Sequence, residues 1–262
     1  MRLIFKHIQI GFKRNTVYRI NYLMGIVVAF IQLFITVAIW KALYGPHAEV
    51  NGISFGMLTT NFIISIGLQH AFSFNDFAVQ SKVNDGSIAV EFVRPVDYRV
   101  SLLASELGEI VFKLITNFIP ILVVGILLFG IEAPQNILHF TLFLCSAFLG
   151  FLILWSLSMI VKMSTFWVMN VWSLSVLKGV LISVFSGITL PIWFLPQNVV
   201  NCLRFTPFES IYFSSLQIYL GRISGNEIGL VLLKQLLWGV VLFMVANLMW
   251  VMGRKRLIVQ GG

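Results

Sequence analysis

Residues able to do chemistry are few in this 262-residue chain, and they do not cluster. Histidine occurs four times, at His7, His47, His70 and His139, each on a different segment. Cys145 and Cys202 are the two cysteines, one in mid-stretch and one in a loop, so no disulfide framework is implied. There is no His-Glu-x-x-His, which would set two ligands on one helix face, and no Cys-x-x-Cys, which would bring two thiolates to one metal. No glycine is followed by lysine, so the P-loop that cradles nucleotide phosphates is absent. The ten acidic residues lie in loops or near the ends of apolar stretches. None sits at the centre of one, where an ion-driven carrier usually keeps an ionisable group. We therefore expect no catalytic residue, no metal ligand and no cofactor bound by the chain itself.

Other polar side chains do enter the apolar stretches. Lys113 and Lys234 lie near stretch ends, where a lysine stem can snorkel to the headgroups. Lys178 lies about eight residues in, roughly 12 Å at 1.5 Å per residue, which fits a cavity or a subunit interface. Asn61, Gln69, Asn170 and Lys178 are the candidates for a pathway or subunit interface, with His70 and Asn117 as further polar groups. Each would be costly facing lipid, so a polar pathway and interhelical hydrogen bonding are both open readings.

Composition says what holds these residues. Hydrophobic residues make up 58% of the chain and charged residues 11%, against roughly 25% charged in soluble domains. A chain this apolar has the bilayer as its solvent. The net charge of +8 is set by basic residues at the ends of apolar stretches, which indicates anionic lipid and orientation and argues against nucleic acid. No cleavable signal peptide is expected, because the first apolar run is long and follows about twenty residues carrying five basic side chains.

Six stretches approach the roughly 20 apolar residues that cross a bilayer as a helix: 22–43, 56–74, 107–130, 139–161, 171–190 and 228–252. The expected fold is an all-α polytopic membrane protein, a single transmembrane domain over 1–262. Taken in order, these spans put twelve Lys and Arg on one side: Arg2, Lys6, Lys13, Arg14, Arg19, Lys82, Arg94, Arg99, Lys162, Arg254, Lys255 and Arg256. The opposite loops hold only Arg204 and Arg222. The positive-inside rule then makes both termini cytoplasmic. Residues 1–21 read either as an amphipathic interfacial helix, with Ile4, Phe5, Ile8 and Phe12 on one arc, or as a basic flank.

Two irregular regions remain. The outer segment 186–227 is broken by Pro191, Pro196 and Pro207 yet is rich in Ile, Trp, Phe, Leu and Tyr. It reads as short helices re-entering the bilayer between spans five and six, or as an interfacial loop with aromatic anchors. The other region is a polar island at 75–99, NDFAVQSKVNDGSIAVEFVRPVDYR, on the cytoplasmic side. Asp85-Gly86 is a helix-stop signal, and Arg94-Pro95 forces extended backbone. Phe77, Val79, Val83, Ile88, Val90, Phe92 and Val93 give the island apolar faces, which suit a docking surface for a soluble protein or packing on headgroups.

The order of these features resembles the ABC-type exporter permeases of the type-two class. Asp85 to Arg99 is similar to the segment after that class's coupling helix, with Gly, Ile, apolar residues and Arg-Pro. SGITLPIWFLP, from Ser186 to Pro196, with Thr206-Pro207-Phe208, is similar to its outer re-entrant region. The closing RKRLIVQGG resembles a subfamily often encoded as permease pairs.

The resemblance implies a bacterial cytoplasmic membrane protein that pairs with a second permease, a paralogue or itself. It implies two copies of a cytoplasmic ABC ATPase, with ATP and magnesium held by that partner. A coupling helix near Phe74 to Asn84 would dock in the ATPase, with Phe77, Val83, Asp85, Gly86, Arg94 and Pro95 in the coupling region. Gly187, Pro191, Pro196 and Pro207 would shape the outer re-entrant segment. Transport would be by alternating access, and the apolar interiors suit cargo such as drugs, lipids or peptides. The competing classes are an ion-coupled carrier or channel without ATPase and, more weakly, a polytopic membrane enzyme.

Overall fold

The computed structural model describes residues 2–17 and 19–260, and the side chains of 5–13 and 23–256. Parts of the amino-terminal arc, Ile4 among them, and the closing Gly-Gly lie outside what is described. The described chain is helical apart from one two-residue hairpin and its connections. It divides into two units, one formed by Met1–Ser73 with Glu91–Ala133 and one by Phe74–Val90 with Pro134–Gly262.

The first unit begins with α1 (Arg2–Val17) and α2 (Arg19–Tyr44). In α2, Ala29, Leu33 and Val37 form a buried stripe at i, i+4, i+8, while Val27, Val28, Ile31, Phe34 and Ile35 are exposed. A helix that packs on one narrow stripe and stays apolar elsewhere is built for lipid. A hairpin, β1 (Glu49–Val50) and β2 (Ile53–Ser54), follows. Its turn is Asn51-Gly52, both at positive φ, the geometry that Asn-Gly turns favour. Ser54 then caps α3 (Phe55–Ala71) by accepting the Met57 N–H. That helix is buried along almost its whole length.

α6 (Tyr98–Lys113) continues through a π-turn (Leu114–Phe118) into α7 (Ile119–Phe129). Asp97 caps its start by accepting the Arg99 N–H, so the helix begins nine residues before the expected span. Pro120 lies just beyond the π-turn and lacks an N–H, and its ring crowds the preceding turn, so the wider turn relieves the clash. α1 lies against α6 at two glycines. A Cβ on Gly11 would stand 1.9 Å from the Ser105 carbonyl oxygen, and one on Gly108 2.0 Å from that of Ile8. Phe12 meets Phe112 edge-on at 5.3 Å. The expected amino-terminal helix is present, and its partner is protein.

The second unit contains α4 (Ala78–Asn84), the start of α5 (Ile88–Val93), α8 (Ile137–Ser164), α9 (Trp172–Phe185), a 3-10 turn (Ile192–Phe194), α10 (Gln197–Leu203), α11 (Phe213–Tyr219) and α12 (Asn226–Gln260). α11 packs on α8, and the chain just before it passes close to Gly150, where a Cβ would stand 2.2 Å from the Ile211 carbonyl oxygen. Ser146 donates to Gln235 Oε1 at 2.9 Å and exchanges a bond with Ser215, while Gln235 Nε2 donates to the Ser210 carbonyl at 2.8 Å. This buried node ties the proline-broken segment 186–227 to α8 and α12. Ile192, Leu203 and Phe213 form a small core there, flanked by Phe185, Trp193, Leu195 and Val200.

Among the described residues, four helical stretches are long and apolar enough to cross a membrane: Leu23–Tyr44, Tyr98–Phe129, Ile137–Ser164 and Asn226–Arg256. They coincide with expected spans one, three, four and six. Expected spans two and five fall on α3, with 17 residues, and α9, with 14. α3 ends at Phe72, and α9 ends at Ser186 before Gly187, whose φ is 84°.

Candidate functional site

The polar island folds as two short helices held apart by a turn. Asn75 Oδ1 accepts the Phe77 N–H at 3.0 Å, which delays α4 to Ala78, four residues after the expected start. α4 ends where expected, with Asp85 as C-cap and Gly86 at φ 74°. Asp85 Oδ1 accepts the Ser87 N–H at 2.9 Å. Bonds from the Ser87 side chain and backbone, aided by Lys82, hold the Asp85 carboxyl below the usual aspartate range. α5 was not foreseen. It stops at Val93, as Arg94-Pro95 requires. Arg94 pairs with Glu91 at 2.9 Å, and Arg99 with Asp97 at 2.6 Å.

One charged residue near the start of the island, Asp76, is buried, against the expectation of a surface segment. Asp76 is 4% exposed. Lys178 of α9 reaches its carboxylate at 2.6 Å, Ser175 Oγ donates to it at 2.6 Å, and Ser158 of α8 donates to its other oxygen. One cation and two hydroxyls therefore satisfy an otherwise costly buried anion. Val79 is fully buried, and Gln80 Oε1 accepts the Val171 N–H at 3.0 Å beside the first turn of α9. Phe74 lies 5.9 Å from Phe151, with the Lys162 ammonium over its ring at 5.3 Å. α4 is thus fastened to both α8 and α9.

Beyond this anchor the island offers apolar side chains to its surroundings. Phe77 and Val90 are exposed, Val83 is half-buried, and on the far side of the α5 midpoint Phe92 and Val93 are exposed. Val93, at 86% exposure, is among the least covered hydrophobic residues described.

The remaining candidates disperse. Asn61 is fully buried in α3. Gln69 accepts from Gln32 at 3.1 Å, and Gln32 also bonds the His70 ring at 3.1 Å, so one α2 amide holds two α3 side chains. Asn170 is exposed, and its Oδ1 accepts the Trp172 N–H at the start of α9. Lys113 donates to the Ser73 carbonyl at 2.6 Å, and Lys234 pairs with Glu209 at 2.8 Å, so both have protein partners where snorkelling was expected. Gly187, Pro191, Pro196 and Pro207 bracket the short helical pieces of the outer segment. Among the described residues no three His, Cys, Asp or Glu side chains are placed to hold a metal ion.

Sequence reasoning missed Asp76, Ser158, Ser175 and Gln80. The available signal was Ser175 and Lys178, three apart on one face of an apolar helix and in need of an acid.

No curated protein matches the chain. The long apolar helices suit a family of membrane proteins whose model matches residues 26–261. The chain is a multi-pass membrane protein that belongs to the family described as ABC-2 family transporter protein.

Proposed function

We propose that this chain is the membrane-spanning permease subunit of an ATP-driven exporter in a bacterial cytoplasmic membrane, worked by a separate ATPase that docks on the polar island. Family membership makes it the membrane part of an ABC transporter, whose ATPase is a partner. The observation that carries the finer reading is the island itself. Its apolar residues Phe77 and Val90 are left uncovered while its first residues are locked onto α8 and α9 by Asp76. A docking element must grip its partner at one end and its own spans at the other.

Six spans, both termini cytoplasmic, two ATPase copies and a second permease, a paralogue or itself, complete the proposal. The charge distribution supports six, because α3 must cross for the basic residues of the island to join those of the termini on one side. At about 26 Å, α3 nearly spans a core of about 30 Å. Cargo would be hydrophobic or amphipathic, passing between two permeases along the first, second and fifth spans, with Asn61, Gln69, Asn170 and Lys178 as candidates near that path. The test is co-purification of the ATPase with permease variants. Phe77→Asp and Val83→Asp should insert normally, lose the ATPase and abolish ATP-dependent transport. Full ATPase binding by both would reject the docking assignment, and transport by the permease alone on an ion gradient would favour a secondary carrier.

A further inference from the structure

The outer segment and the first turns of α12 border an open pocket of about 610 Å³ that no role above uses. Its lining includes Arg204, Glu227 and the Lys234–Glu209 ion pair. The pair neutralises itself. One cation and one carboxylate remain on the wall, Arg204 and Glu227, both exposed. Two further lining residues hold buried polar atoms with no hydrogen-bond partner, Trp193 at Nε1 and Gln217 at Oε1. An indole N–H can only donate and an amide oxygen can only accept. Buried groups of this kind are rarely left unsatisfied, so both ask for a ligand that can accept from one and donate to the other.

A second cavity, of about 310 Å³, shares Leu230 and Lys234 with the first. It runs down α12 along Leu233, Leu237, Trp238 and Val241, an apolar stripe at helical spacing. From Leu230 to Val241 the stripe is about 16 Å long, close to one leaflet of a core about 30 Å thick. A polar cup at a span mouth that opens into an apolar groove matches an amphiphile with a charged head and an aliphatic tail.

We propose that this is a binding site for a zwitterionic phospholipid with a primary ammonium. The phosphate meets Arg204 and the Trp193 N–H, the ammonium meets Glu227 and the Gln217 oxygen, and one acyl chain lies along the α12 stripe. A trimethylammonium head lacks the N–H donors that Gln217 needs, and an anionic head leaves Glu227 opposed by like charge. The site stands apart from the ATPase-docking reading, because it involves neither the island nor its anchor.

The test uses the permease with whatever subunits it assembles with, delipidated in detergent and reloaded from micelles containing phosphatidylethanolamine, phosphatidylcholine or phosphatidylglycerol. Native mass spectrometry then counts retained lipid. One phosphatidylethanolamine per chain is expected, at least fivefold above the other two lipids. Leu230→Trp, which blocks the groove, and Arg204→Ala should each lower it at least fivefold. Trp193→Phe keeps the ring and removes only the donor, so a loss there with unchanged thermal stability identifies a ligand contact. Equal retention of all three lipids, or wild-type retention by all three variants, overturns the proposal. So does a Leu233→Cys chain that disulfide-crosslinks to a second permease, since that face is then a subunit interface.

Discussion

The ammonium of Lys178 stands 2.6 Å from the carboxylate of Asp76, a residue 102 positions away in sequence. One partner belongs to α9 and the other lies at the second position of the polar island, so the helix and the island share a single charge pair. Ser158 and Ser175 complete the anion's coordination, and α8 is drawn into the same node.

Removing one partner of this pair should be far worse than removing both. Asp76→Asn or Lys178→Met alone leaves a charge buried without its counterion, at a cost of about 3–5 kcal/mol, whereas the double substitution leaves none. Thermal unfolding of the purified protein should rank the double variant above either single one. In an assembled transporter the single variants should also lose ATP-driven transport, and the reversed pair Asp76→Lys with Lys178→Asp should regain part of it. Strict additivity of the two single effects would show that the pair carries no coupling.

The α1–α6 crossing makes a second prediction. Gly11→Ala and Gly108→Ala place a methyl about where a carbonyl oxygen already stands. Overpacking of this kind costs about 1–3 kcal/mol or displaces the helix. Limited proteolysis should then cut the amino-terminal segment faster. Gly179→Ala, with no atom within 4 Å of the added carbon, is the control and should behave as wild type.

Gln235 gives a third. It is fully buried and satisfies the Ser210 carbonyl while accepting from Ser146. Gln235→Leu removes the donor to the Ser210 carbonyl, at about 1–3 kcal/mol, and leaves the Ser146 hydroxyl with Ser215 as its partner. Hydrogen exchange should rise in α11 and around Ser210, with little change in α1 or α2.

A fourth concerns pH. Asp85 is held below its ordinary 3.8, chiefly by hydrogen bonds from Ser87. A depressed carboxylate stabilises the fold fully above 3.8, and that contribution is lost as pH falls through the lowered folded value. Amide exchange at the α4–α5 turn, corrected for intrinsic rate, should therefore be flat from pH 8 to pH 5 and rise only under strongly acid conditions. Asp85→Ala should raise exchange at neutral pH and make it insensitive to acid. A wild-type transition near pH 6 would refute the assignment.

What the chain discloses in sequence is what lipid and local backbone chemistry dictate. α2, α8 and α12 are legible because their lipid-facing sides must be apolar over most of their length. The end of α4 at Asp85-Gly86 and the break at Arg94-Pro95 follow from backbone rules that act within three residues. The Asn51-Gly52 hairpin carries an equally local signal. α5, six residues long, is too short for any periodicity to register. The glycines at 11 and 108 are unremarkable until the two helices are brought together. Asp76 is the plainest failure, because an acid after an apolar stretch reads as solvated. Its partners lie 82, 99 and 102 residues on, and only the tertiary fold brings them to it.

The π-turn at Leu114–Phe118 makes one continuous rod serve two different neighbours. One extra residue in a turn rotates everything beyond it by about 100° relative to a regular α-helix. Before the turn, the rod shows Gly108 to α1. After it, Phe118 fits against Gly67 and Gly125 receives Ile63, both in α3. Deleting a single residue here would restore an ideal helix and spoil the protein, because the second half would then be out of phase with α3. The irregular turn is the setting that keeps both halves in register.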